Sequence, residues 1–584
     1  MRIKQGPSSR RTLAALSAST IICAGFALPA IAAPDKDDLS SNTPIKHVVI
    51  VYEENITFDH YFATYPVAAN PAGEPSFTAR DDTPGVNGLT TAGLLAPNNP
   101  NLQQPFRLDR SEAFTCSQDH NYTDEQKSVD GGLMDKFVQA TAHLGNGCRT
   151  SGQTVMGYFD GNTVTALWNY AQRFAMSDNS FDTTFGPSTV GAVNLISGQN
   201  ANAHMPTSFA HGLVNTFTAV TITGDPDPAL DDCGADQGGT LTGKGTAELE
   251  GKNIGDLLNA KNITWGWFEG GFAPTTPAVV NPDGSTKTPA VCGQSHLAHP
   301  GVPNPSVADG FTGADIHVAT ADYVPHHEPF QYYVSTRNPH HLRPAPGEII
   351  GHNGQANHQY DITDFFTALS AHQLPAVSYI KAPAYQDDHP GNSDPLSAQT
   401  FLVDLINALQ QSDEWQETAV IIQWDDTDGW YDHVTGPVVN QTANDGGNDA
   451  SQSFNANDSY VPALPLSTST TPAKPGNIAT SGVCGAPAGG AGTPPRCGYG
   501  IRLPFLVVSP WSKQNYVDHG VLDQTSSLAF IEYNWNLGFI DAVPQPAGQG
   551  SFDRFAGSIL TLFDFDDGPD KHSLLLNDMT GERL

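Results

Sequence analysis

The sequence predicts an α/β fold built around a central, largely parallel sheet flanked by helices. Three observations predict it. Val48-Val49-Ile50-Val51 and Ala419-Val420-Ile421-Ile422 are short, β-branched apolar runs of the kind that form strands buried on both faces. Residues 376–380, 398–410 and 419–424 read in order as strand, helix and strand, the crossover that joins parallel strands. Finally, 39% hydrophobic residues in 584 suffice for a sizeable core, whereas 56 Gly and 44 Pro imply long irregular loops over it.

The chain opens on a targeting segment. Ser9-Arg10-Arg11-Thr12-Leu13 leads into an apolar stretch over residues 13–28, and Ala30-Ile31-Ala32 supplies a small-x-small cleavage site. The paired arginines match the twin-arginine type of export signal, with ordinary secretory export as the alternative. Residues 1–32 are therefore expected to be a signal peptide, and residues 33–584 a single large domain that is periplasmic or secreted. Cysteine usage agrees with export. Beyond Cys23 in the signal there are Cys116, Cys148, Cys233, Cys292, Cys484 and Cys497, an even number that suggests disulfides. Neighbour pairing (116–148, 233–292, 484–497) is the expected connectivity, because each bridge would staple one loop-rich insertion. Their spacing matches no zinc motif.

Strands are expected at 47–52, 263–268, 376–380, 419–424 and 503–508. Helices are expected at 164–173, 254–260, 362–371, 398–410 and 526–535. Loop-rich insertions are expected near 64–108, 200–320 and 436–500. No later stretch holds the eighteen or so apolar residues of a membrane span. With 27 basic residues against 61 acidic, the net charge is −34. That balance argues against nucleic acid as a partner, because phosphate backbones are held by basic stripes.

The chemistry sits where the strands end. Glu53-Glu54-Asn55 follows the first β-branched run and Asp425-Asp426 follows the second. Open α/β sheets place their sites at the carboxyl ends of parallel strands, and a hard divalent cation takes several oxygen ligands there. Asp425-Asp426-Thr427-Asp428-Gly429-Trp430-Tyr431-Asp432-His433 is denser in carboxylates than a solvated turn needs. Between the two motifs, Phe185-Gly186-Pro187-Ser188 puts a hydroxyl at the start of a helix over 190–196, where free amides and the helix dipole favour an alkoxide or a phosphate. A serine needs a base or a metal to become a nucleophile; its other role here is a plain N-cap. No G-x-S-x-G elbow is present, which argues against an α/β-hydrolase esterase. Among the 20 histidines, His120, His326, His327 and His389 lie in the settings best suited to charge stabilisation or proton transfer at a phosphate.

Taken together, the stretches 47–62, 132–137, 185–188, 424–434 and 502–510 resemble the bacterial phosphoesterase family of phospholipases C and respiratory-burst-inhibiting acid phosphatases. They span nearly all of the mature chain in family order. The resemblance implies an alkaline phosphatase-like fold and one divalent metal ion. It implies Glu54, Asn55, Asp425, Asp426 and Ser188 as metal ligands, with Ser188 also the nucleophile. It implies His120, His326, His327 and His389 as phosphate-binding and proton-transfer groups, and gives Asp432 and His433 a supporting role. Many phospholipase members have Asp-Glu where this chain has Asp425-Asp426, and many carry carboxy-terminal modules, whereas this sequence stops about 75 residues after Ser509-Pro510. Both features lean toward a broad-range acid phosphatase acting on small phosphomonoesters. A phospholipase C cleaving phospholipid head groups is the alternative, and a non-catalytic exported metal-binding protein is the third reading. A sulfatase is disfavoured because its oxidised-cysteine motif is missing.

Overall fold

The structure, a computed structural model, describes residues 40–143, 152–200, 203–204, 221–234, 245–281, 286–297, 319–437, 454–455, 499–540, 551–553 and 556–584. The expected signal peptide, Cys148, Cys484, Cys497 and most of the 436–500 insertion lie outside them. Residues Ser41–Leu584 cluster as one unit.

The main sheet has nine strands among the described residues. They are β1 (His47–Glu53), β2 (Ala175–Phe181), β3 (Trp265–Glu269), β4 (Gln359–Asp361), β5 (Val377–Lys381), β6 (Thr418–Trp424), β7 (Arg502–Val508), β8 (Tyr516–Asp518) and β9 (Leu522–Asp523). Their order is β4-β3-β5-β1-β6-β7-β2-β8, with β9 also on β2. Only β7 runs against the rest, antiparallel to both β6 and β2. The expectation of a largely parallel sheet is met. The predicted crossover is present too, but it skips a strand: β1 lies between β5 and β6 and pairs in parallel with both.

The helices that matter for the site are α1 (Phe58–Phe62), α2 (Tyr122–Val129), α3 (Thr165–Arg173), α4 (Ser188–Ser197), α5 (Ile254–Ala260), α6 (Ile362–Ser370), α7 (Pro395–Gln410) and α8 (Thr525–Asn534). Local chemistry starts most of them. Thr57 caps α1, and Asn253 with Asp256 and Asp361 with Asp364 form capping boxes on α5 and α6. Asp394 caps α7 with Pro395 at its first position, three residues before the start expected from the apolar run. All residues of β6 and β7 are buried. Val49, Val51, Val420, Ile422, Leu506 and Val508 share one core cluster with Trp168 and Tyr170 of α3 and Leu405 and Leu409 of α7. On the sheet's other side α4 packs against α8.

The stretch 200–320 is not one excursion from the core. Inside it, β3 pairs with β5 and β4 as a full member of the sheet. The segments around β3 are joined by the disulfide Cys233–Cys292, one of the expected pairs. Cys116 is also disulfide-bonded.

Candidate active site

Because β1, β5, β6 and β2 are parallel, their carboxyl ends share one edge of the sheet. β7, running the other way, brings its first residue, Arg502, to that edge as well. Each functional loop leaves its strand in a tight turn. Asn55, Asp388 and Asp428 all have left-handed backbones, with φ of 44°, 81° and 48°. Asn and Asp tolerate that conformation, and such residues cluster at functional sites.

The loops are tied together by backbone and carboxylate. Glu54 N–H donates to Asp387 O at 2.8 Å, and Asp425 N–H donates to Glu53 O at 3.1 Å. Asp425 Oδ1 accepts from Asn55 N–H at 3.1 Å and from Asp426 N–H at 2.8 Å. The two acidic motifs, about 370 residues apart, are therefore in direct contact.

Ser188 sits at the first position of α4, with Pro187 before it and no side-chain cap. Its hydroxyl does not serve the helix. Oγ lies 3.1 Å from Glu54 Oε2 and 3.1 Å from Asp426 Oδ2, and the residue is 2% exposed. One hydroxyl proton cannot serve two carboxylates at once. Burial raises the Glu54 carboxyl well above its ordinary range; Asp425 adds to this and Lys381 opposes it. Burial raises Asp426 in the same sense, with His120 opposing and Asp425 adding.

Beside these groups, both side-chain polar atoms of Asn55 and Asp425 Oδ2 are buried with no hydrogen-bond partner. Buried polar atoms are normally satisfied. A divalent cation would engage the orphaned oxygens and offset the crowded charge. The donors are oxygens throughout, which suits a hard ion. The residues present therefore fit the metal that the sequence resemblance implies.

The four expected histidines flank this cluster from two sides. His327 Nδ1 lies 3.0 Å from Glu54 Oε1, and its ring stands 4.6 Å from that of His326. His326 Nδ1 is 3.5 Å from Asp227 Oδ1, and its carbonyl accepts from the Thr189 hydroxyl, next to Ser188, at 3.3 Å. Across from them, the rings of His120 and His389 are 6.1 Å apart. His120 Nδ1 lies 3.2 Å from Asp428 Oδ1. Burial works against protonation of His120, but Asp426 and Asp428 outweigh it and push the imidazole well above its ordinary value. Burial pushes His389 down. The two neighbouring imidazoles are thus shifted in opposite directions.

Asp432 and His433 stand away from the ligand cluster. Asp59, Asp432 and Arg502 form a buried network in which Arg502 Nη2 reaches Asp59 Oδ1 at 3.2 Å and Asp432 Oδ2 at 3.1 Å. His433 Nδ1 lies 2.6 Å from Asp59 Oδ2. This network braces α1, the loop after β6 and the start of β7 against one another.

Three further residues were not foreseen. Lys381, the last residue of β5 and 1% exposed, pairs with Glu54 Oε1. Glu125 of α2 accepts from Gly186 N–H at 2.9 Å and from the Thr427 hydroxyl, bridging the serine loop to the loop after Asp426. Gln524 donates to Asp425 O at 2.5 Å and accepts from the Thr183 hydroxyl at 2.8 Å. The only available sequence signal for Lys381 was a lone lysine ending an apolar strand. Glu125 and Gln524 carried no signal, since their partners are distant in the chain.

A mostly parallel sheet whose carboxyl edge gathers a helix-start serine, carboxylates and imidazoles makes this an α/β protein with a buried polar site at that edge. Comparison with known proteins narrows it. The model of the phosphoesterase family matches residues 45–538, and the chain belongs to that family. Similar proteins include the non-hemolytic phospholipase C of Pseudomonas aeruginosa, 23% identical over 540 residues. That match covers 91% of this chain and 60% of the Pseudomonas protein. Phospholipase C A of Mycobacterium tuberculosis is 22% identical over 536 residues, covering 90% of this chain and 78% of its own length. The non-hemolytic phospholipase C of Burkholderia pseudomallei is 32% identical over 166 residues, covering 28% of this chain and 19% of its own length. Family membership places the chain among hydrolases of phosphoric esters.

Proposed function

We propose that the chain is an exported, metal-dependent phosphoric ester hydrolase that works through a phosphoserine at Ser188. The observation that carries this reading is the Ser188 hydroxyl held 3.1 Å from both Glu54 and Asp426, beside unpartnered Asn55 and Asp425 atoms. Glu54, Asn55, Asp425, Asp426 and Ser188 Oγ would hold one divalent ion, which supplies a lowered hydroxyl pKa and charge for the phosphoryl oxygens. Ser188 Oγ, its proton passed to solvent, attacks phosphorus, the bond from phosphorus to the alcohol oxygen breaks, and His389 or His326 gives the departing oxygen its proton, to be regained from the water that attacks in the second step while Ser188 is reprotonated from solvent. His120 and His327 steady the phosphoryl charge from either side. Water then displaces Ser188 from phosphorus, releasing phosphate and restoring the hydroxyl. The alkaline phosphatase-like fold is part of this reading, supported by a nucleophile at a helix start on the carboxyl edge of a mostly parallel sheet. Export is supported by residues 1–32 and by the disulfide Cys233–Cys292. Among the described residues no helix is long and apolar enough to cross a membrane.

For the substrate we favour small phosphomonoesters at acidic pH. A monoester presents three unesterified oxygens where a diester presents two, and four imidazoles around one hydroxyl suit it. The named relatives favour phospholipid diesters as the second reading. Comparing phosphate released from p-nitrophenyl phosphate with phosphocholine released from phosphatidylcholine separates the two. Ser188→Ala should fold, retain metal and lose turnover by at least about 10³-fold, as removal of an activated nucleophile does. A wild-type rate in that variant removes the nucleophile assignment. Bound metal with no turnover on any phosphoester favours the non-catalytic reading instead.

A further inference from the structure

A second set of donors adjoins the proposed metal ligands. One ligand atom from each of Glu54, His327 and Asp387 lies within 4.8 Å of the others, and all three residues are buried. The geometry alone has the makings of a second cation site. Asp387 Oδ2 and both carboxylate oxygens of Glu53 are also buried without a hydrogen-bond partner. Without solvent, so many carboxylate oxygens must be offset by positive charge or by protonation.

Lys381 supplies one such charge, at Glu54. The side chain leaves the end of β5, is 1% exposed, and pairs with Glu54 Oε1, the same oxygen that faces His327. Among the described residues no other Lys or Arg pairs with Glu53, Glu54, Asp387, Asp425 or Asp426. The division of Glu54 follows directly. Oε1 is taken by Lys381 and His327, and Oε2 is left to face Ser188.

We infer that Lys381 is a built-in cation: its ammonium, seated on Glu54 Oε1, denies that oxygen to a second metal ion between Glu54, His327 and Asp387, restricts the centre to one ion, and holds Glu54 with Oε2 toward Ser188. The inference rests on the reading of Glu54, Asn55, Asp425 and Asp426 as metal ligands. It makes Lys381 a positioning residue, since it touches a ligand and not the reacting atoms. An ammonium suits the task better than a guanidinium, being a compact point charge on a flexible stem.

Metal stoichiometry tests it. The purified full chain is dialysed against millimolar Mn²⁺ and its bound manganese is counted by elemental analysis. Wild type should saturate at one ion per chain, and Lys381→Met at two. One ion in Lys381→Met, or two in wild type, overturns the inference while leaving the first site standing. No ion in wild type overturns the ligand reading underneath it. Should Lys381→Met fail to fold, wild-type crystals soaked in Mn²⁺ still decide. An anomalous peak between Glu54, His327 and Asp387 contradicts the inference, and a single peak at Asn55, Asp425 and Asp426 supports it.

Discussion

At the scale of single residues, the site depends on atoms that never meet substrate. Glu125 is fully buried and accepts from Gly186 N–H and the Thr427 hydroxyl, so one carboxylate spaces the nucleophile loop from the loop of Asp425 and Asp426. Gly186, with φ of 119°, makes the turn into Pro187 that a side chain would strain. Glu125→Leu should leave that amide and hydroxyl unsatisfied, at about 1–3 kcal/mol each. The expected result is a fall in kcat of roughly 10²-fold, as for an angstrom-scale misplacement. Glu125→Gln, which keeps an acceptor for Gly186, should recover most of it. Wild-type kcat in the leucine variant would rule out the positioning role. Sequence exposed the groups proposed as ligands and nucleophile, because Glu54, Asn55, Asp425 and Asp426 end apolar runs and Ser188 follows Gly-Pro. Groups that position them had no such marker: Glu125 reads as an ordinary acid in the first turn of a helix.

At the scale of elements, the close fit of α4 to the end of β6 sets the reach of Ser188. Gly191 lies one turn after Ser188, and a Cβ there would overlap Asp425 O and crowd Gln524 Nε2. The helix can lie this low only because the position has no side chain. Gly191→Ala should push α4 outward, cost about 1–3 kcal/mol in overpacking, and lower kcat together with stability. Unchanged melting and an unchanged rate would show that the contact is slack. The strands β1, β3, β5, β6 and β7 were legible because each centres on a run of largely apolar residues buried in the fold. β2 was not, because Ala175-Met176-Ser177-Asp178-Asn179-Ser180-Phe181 alternates too little and carries too many polar groups. Its polarity is answered only in three dimensions. Asp178 accepts from Asn87 N–H at 2.8 Å and meets His519 Nδ1 at 2.7 Å, and Ser177 Oγ accepts from Asn179 N–H at 3.1 Å. β4, β8 and β9 are too short for any periodicity to register.

At the scale of the whole molecule, a chain with 61 acidic residues buries several of them with shifted titration. Burial pushes Glu125 up to about 7, Glu269 up to about 8 and Asp388 up to about 7. A carboxyl raised in the fold contributes stability below its unfolded value, and that contribution is lost as pH rises through the folded one. Asp59 and Asp231 have the opposite sign: burial opposes their ionisation, but His433 and Arg502 for the first and His341 for the second hold them below the usual range. Their contribution is present above about 4 and lost as pH falls further. Stability should therefore be highest near pH 4 and decline from there to about pH 8, where these carboxyls have ionised in the fold. Melting temperatures across that range check this, and a midpoint that rises from pH 5 to 8.5 would contradict it. The chain's own sequence determined the α/β class, five strands of the main sheet and the identity of the groups at their ends. Strand periodicity and strand-end chemistry are local, and local patterns survive in a linear text. Only the tertiary structure decided that Glu54 and Asp426 share one serine hydroxyl, that Arg502 arrives from a reversed strand, and that Lys381 fills the space beside Glu54. Each of those depends on contacts between residues more than a hundred positions apart, and no local propensity encodes them.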